Sequence, residues 1–109
     1  MPFYLYNSDR KGKKLVMVMP EFKHKHHFGA KDYRDFTLIN DKSSKYYIAD
    51  VAEREKVKKA YQTRHKGDKI DDVHSAGALS WYILWSGKTI AEGIKNYEKR
   101  FNVKVVNRT

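Results

Sequence analysis

Short apolar runs alternate with charged stretches along the chain, and the spacing of the apolar positions changes near its middle. Phe3 to Tyr6 is an aromatic run with strand propensity. Asn7 to Lys13 carries turn residues, and Leu15-Val16-Met17-Val18-Met19 is a second apolar run, stopped by Pro20. Two such runs around an Asn/Ser/Asp/Gly loop predict a β-hairpin over residues 1–20. The second run is apolar at every position, so it is expected to be covered on both faces or to lie against a partner. His24 to Phe28 reads as a third strand, broken at Gly29, the residue that turns most cheaply. Phe36-Thr37-Leu38-Ile39 reads as a further short strand, and Asn40 to Ser44 as a loop that looks like an insertion.

From residue 50 the period becomes helical. Asp50 and Glu53 have the spacing of a capping-box variant, which predicts a helix from Val51 to His65. Val57, Ala60 and Tyr61 form its apolar stripe, and Gly67 stands where a helix-ending glycine is common. Ser75 is the predicted cap of a second helix, Ala76 to Trp85, apolar nearly all round. A helix without a polar face is surrounded by other elements, so Trp81, Leu84 and Trp85 are expected in the core. Thr89 and Glu92 form a capping box for a third helix, Ile90 to Phe101, with the stripe Ile90, Ile94, Tyr97, Phe101. Asn102 is its expected left-handed cap, and residues 103–106 are expected to form a last strand. The predicted fold class is α+β. One small domain holds the hairpin (1–20), strands and a loop (21–49), three helices (50–102) and the C-terminal strand, with the strands packed on the helices.

Composition narrows the function. The 109 residues contain 5 Phe, 8 Tyr and 2 Trp, enough large side chains for a core. No apolar run approaches the roughly 20 residues of a membrane span. The start lacks the layout of a signal peptide. With no Cys, disulfide frameworks, thiolate metal sites and cysteine nucleophiles are excluded.

Charge adds a direction. Lys and Arg number 23 against 13 Asp and Glu, a net charge of +10, and most of the excess lies after residue 55. Such a surface attracts polyanions over a Debye length of about 8 Å. Nucleic acid answers that description through its phosphates, and so do acidic protein surfaces and anionic headgroups. The densest basic cluster is Arg64-His65-Lys66-Gly67-Asp68-Lys69, with Lys56, Lys58 and Lys59 upstream. Its place at a helix C-terminus is favoured by the helix dipole whatever its function. Lys58, Lys59, Arg64, Lys66 and Lys69 are the candidate contacts to a polyanion or an acidic partner.

Other chemistry is weaker. His24 and His26 would share one strand face, which suits a two-His metal site. A third ligand must come from far away and flanking lysines oppose a cation, so no metal is expected there. The plain expectation is a basic strand that gains charge below pH ~6.5. Trp81, Tyr82 and Trp85 sit in a helix without basic residues, so core packing is expected rather than base stacking. Tyr4, Tyr6, Tyr46 and Tyr47 lie closer to charges and suit stacking better. Ser75 beside His74 is a helix cap, and Asp68, Asp71 and Asp72 lie in a loop. No constellation meets the geometry of an active site, so no catalytic residue and no cofactor are expected, and the protein is expected not to be an enzyme.

Four blocks in order carry a resemblance. They are Phe28-Gly29-Ala30-Lys31-Asp32-Tyr33-Arg34-Asp35-Phe36-Thr37, then Arg64-His65-Lys66, then Ser75-Ala76-Gly77-Ala78-Leu79-Ser80 with Leu84-Trp85, then Glu98-Lys99-Arg100-Phe101. In this order the chain resembles small basic proteins of large double-stranded DNA viruses of algae and amoebae, of the phycodnavirus and mimivirus kind. The likeness covers most of the chain, about residues 22–104. It departs at Asn40 to Asp50, which is longer here, and at Ala78 and Tyr82, and it leaves the hairpin outside. The resemblance implies a virus-encoded protein made in the infected host cell and packaged in the particle. It supplies no catalytic or ligand residue. The expected role is therefore a small basic minor capsid or capsid-associated protein that binds acidic surfaces of other virion proteins. The second expectation is a sequence-nonspecific nucleic-acid-binding virion protein.

Overall fold

The computed structural model describes residues 2–109. Three strands come first: β1 (Phe3–Asn7), β2 (Lys13–Met19) and β3 (His24–Ala30), with a 3-10 turn, Pro20–Phe22, between the last two. The helices follow as α1 (Phe36–Ile39), α2 (Val51–His65), α3 (Ala76–Leu79) and α4 (Ile90–Phe101), and β4 (Val105–Asn107) ends the order. Between α3 and α4 the chain runs straight from α3 into a π turn, Ser80–Leu84.

One sheet holds all four strands in the order β3-β2-β1-β4. The hairpin register sets Leu5 opposite Met17, and β3 adds Phe28 opposite Leu15 and His24 opposite Met19. β4 joins β1 in parallel, Phe3 opposite Val105. A parallel pair needs a long crossover, and all the helices lie within it. Phe3, Leu5, Leu15, Met17, Met19 and Phe28 form the buried sheet face and share one core with residues of the helices. Val16 on β2 is buried as well, while Val18 is only half-buried. The second face of β2 is thus covered in part. The fold is a single α+β domain, as the apolar pattern predicted.

Local hydrogen bonds explain the helix boundaries. Asp50 Oδ1 accepts from Ala52 N at 2.9 Å, and Ser75 Oγ accepts from Ala78 N at 2.9 Å. Thr89 Oγ1 accepts from Glu92 N at 3.1 Å, and the Glu92 carboxylate reaches back to Lys88 N at 2.8 Å. Asn102 takes the left-handed conformation at φ 53°. Glu98 then accepts from Val105 N at 2.8 Å, tying the end of α4 to β4. Thr89→Ala is expected to cost about 1 kcal/mol by removing the cap acceptor, read as a lower midpoint in urea at unchanged slope.

Four expectations need correction. Phe36–Ile39 is a helical turn and not a strand. The buried Asp35 carboxylate accepts from Leu38 N at 3.1 Å and from the Thr37 hydroxyl, and this cap overrides the strand propensity of the run. The strand β3 is not broken at Gly29 but passes through it to Ala30, with Gly29 at φ +79°. A side chain there would be strained and would also meet Leu84. Gly67 does not take the left-handed conformation that its expected place would use. The second predicted helix keeps its cap but widens after Leu79 into the π turn. Among the described residues, no helix is long and apolar enough to cross a membrane.

Candidate polyanion-binding cleft

A cleft of ≈ 380 Å³ opens between the β2 and β3 ends, the turn before α1, the end of α2, and α3 with its π turn. Several long-range contacts build it. Lys31 N donates to Gly12 O at 3.0 Å, drawing the hairpin tip to the turn after β3. Lys14 Nζ donates to Tyr33 O at 2.6 Å and to Asp35 Oδ2 at 2.7 Å. Asp35 is only 1% exposed. A carboxylate so buried needs its charge matched and its lone pairs used. Lys14, Thr37 and the α1 cap supply this, so Lys14 and Asp35 brace the wall.

Phe28, Leu84 and Trp85 give the cleft an apolar floor. Tyr61 stacks flat on Trp85, with ring centroids 4.1 Å apart and planes at 4°, and His65 stacks on its other side at 4.3 Å. His65 Nδ1 lies 2.7 Å from Asp68 Oδ2, which anchors the outer ring. Burial, and then the Asp68 carboxylate, push the Tyr61 phenol up to about 12, so it stays neutral.

The rim is cationic. Lys13, Arg34 and Arg64 line it and form no ion pair among the described residues. Tyr33, 70% exposed, stands beside them. Of the five cations singled out from sequence, only Arg64 lines the cleft. Lys59, Lys66 and Lys69 are exposed outside its lining. Lys58 is a correction: its Nζ donates to Ser86 O at 3.1 Å and sits 4.7 Å from the Phe36 ring centre. That ammonium is a prop between α2 and its neighbours, not part of an open patch. Lys13 and Arg34 escaped sequence reasoning because they lie far from Arg64 in the chain. The turn residues beside each, Gly12 and Asp35, were the only local signals.

The tyrosines redistribute too. Tyr46 donates to Asp32 O at 2.7 Å, and Tyr47 accepts from Arg54 Nη2 at 3.1 Å, so both fasten the Asn40–Asp50 segment. Arg54 completes that fastening through Ile48 O and Asn40 Oδ1. Trp85 and Leu84 are buried as expected, whereas Trp81 is half-buried.

His24 and His26 stack at 5.5 Å, and the distant His74 joins them at 5.9 and 6.4 Å. No group of three His, Asp or Glu among the described residues is arranged to hold a metal ion. Burial, and then His24 and His74, lower the His26 pKa against an opposing pull from Asp72. A depressed histidine pKa favours the neutral folded state. Its contribution is present above the unfolded value of 6.5 and is lost as pH falls through the lower folded value. The melting temperature should therefore fall as pH drops below about 6.5, and His26→Gln should flatten that decline in melts followed by circular dichroism.

Compared with protein-family models, curated proteins and solved structures, the chain matches none. The viral resemblance thus stands on the four sequence blocks alone.

Proposed function

We propose that this protein is a non-enzymatic, sequence-nonspecific nucleic-acid-binding protein, acting in the particle of a large DNA virus as the sequence resemblance implies. The observation that carries the reading is the meeting of Lys13, Arg34 and Arg64, without an ion pair among the described residues, around a cleft with the exposed ring of Tyr33. Cations interleaved with an exposed aromatic ring are what single-stranded nucleic acid uses, phosphates on the charges and bases on the rings. An acidic protein neighbour, the first expectation from sequence, needs the charge but not the ring. Of the two carboxylates in the lining, Asp35 is committed to Lys14 and to capping α1, and Asp68 to His65.

The test is Arg34→Ala with Arg64→Ala, set beside Lys59→Ala with Lys66→Ala, which removes the same charge elsewhere. Removing one cation that touches a phosphate of a single strand flattens the plot of log affinity against log salt by about 0.7. The cleft pair should flatten it by about 1.4 and weaken unrelated sequences equally, and the control pair by less. Equal effects would remove the cleft from the account. Binding to an acidic protein but not to single strands would return the capsid-associated reading.

A further inference from the structure

Resting on that nucleic-acid reading, we infer that the cleft seats one unstacked nucleotide of a single strand, its base on the apolar floor beside Trp85 and Tyr61 and its phosphate between Arg34 and Arg64. The volume, ≈ 380 Å³, lies in the range of pockets that enclose small ligands, far below what a duplex fills. A base inside a duplex cannot reach a recessed apolar floor without leaving its stack, so the occupant comes from a single strand or a strand end.

Two polar groups in the lining are free to pair with a ligand. Tyr61 is about nine-tenths buried, and its hydroxyl makes no hydrogen bond to any described residue. Ser80 Oγ likewise has no such partner. The Tyr61 hydroxyl is open to solvent rather than sealed in the core, so it is free to pair with a base edge or a phosphate oxygen in the cleft. Ser80 also opens the π turn, and π turns are frequent at functional sites. The charge is favourable: three cations of the lining form no ion pair among the described residues, while of the two lining carboxylates Asp35 is matched by Lys14 and Asp68 contacts His65.

The experiment titrates the full chain with adenosine 5′-monophosphate, adenosine and inorganic phosphate, following tryptophan emission and amide shifts. Both tryptophans report, because Trp85 stacks on Tyr61 and the Trp81 ring centre is 6.2 Å from it. The nucleotide should bind at least about tenfold more tightly than either fragment, since base and phosphate are held together. It should shift the amides of Gly29, Gly77 and Ser80. Tyr61→Phe keeps the stack and should weaken the nucleotide about fivefold, the worth of one hydrogen bond. The slope of the salt plot on long strands should not change. Phosphate binding as tightly as the nucleotide, or a Tyr61→Phe variant with wild-type nucleotide affinity, overturns the inference. Long strands bound with no nucleotide taken up overturns it while leaving the function standing. Nucleotide taken up with no strand bound keeps the pocket and removes the function.

Discussion

Trp85→Ala is expected to lower the melting temperature of the isolated protein by more than about 12 °C. Trp85 is 7% exposed and lies flat on Tyr61, in one core with Leu84 and Phe28. Truncating a buried Trp costs about 3–5 kcal/mol, from reduced burial and from the cavity left behind. A domain of this size has about 5–15 kcal/mol in all, and each kcal/mol shifts its midpoint by at least about 4 °C. Trp85→Phe, which keeps a ring against Tyr61, should lose far less. A melt of Trp85→Ala that superimposes on wild type would mean that the ring is not packed there.

Gly93→Ala should destabilise the protein by about 3 kcal/mol, against the usual sign for its position. In the middle of a helix, alanine is normally better than glycine by about 1 kcal/mol. Gly93 faces the carbonyls of the π turn, however, and an added Cβ would lie 2.3 Å from Ile83 O and 2.7 Å from Tyr82 O. Both neighbours are backbone, so no side chain can swing aside, and overpacking of this kind costs about 1–3 kcal/mol or more. The Tyr82 carbonyl also accepts from the Ser86 hydroxyl, which in turn accepts from Asn96 Nδ2 at 2.8 Å. Displacing the turn would strain that link and move Ser80 and Leu84 at the cleft. Urea unfolding checks the sign, with Ala91→Gly on the exposed side of α4 as the ordinary case. A stabilised Gly93→Ala would show that α4 and the π turn do not meet as described.

These two residues mark what the sequence could and could not tell. The caps at Asp50, Ser75, Thr89 and Asn102 were legible because each involves neighbours two to four positions away. The hairpin was legible because turn residues separate two apolar runs. Asp35 obeys the same capping rule, but it lay in a charged segment before a run with strand propensity, and the run masked it. The π turn was not legible. It is fitted to the bare backbone of Gly93, a tertiary contact that leaves no periodic trace. Nor was the cleft. Charge density along the chain pointed to residues 58–69, whereas the structure gathers Lys13, Arg34 and Arg64 from three segments and turns Lys58 inward. His74 joining His24 and His26 escaped for the same reason.

The central claim is that the cleft cations contact the phosphates of single-stranded nucleic acid. The most direct measurement is the affinity of the full chain for two unrelated single-stranded oligonucleotides across a salt series. Three contacts, from Lys13, Arg34 and Arg64, predict a slope of log affinity against log salt near −2, at about 0.7 each. The slope should be the same for both sequences. No binding even at low salt, or binding indifferent to salt, would contradict the account.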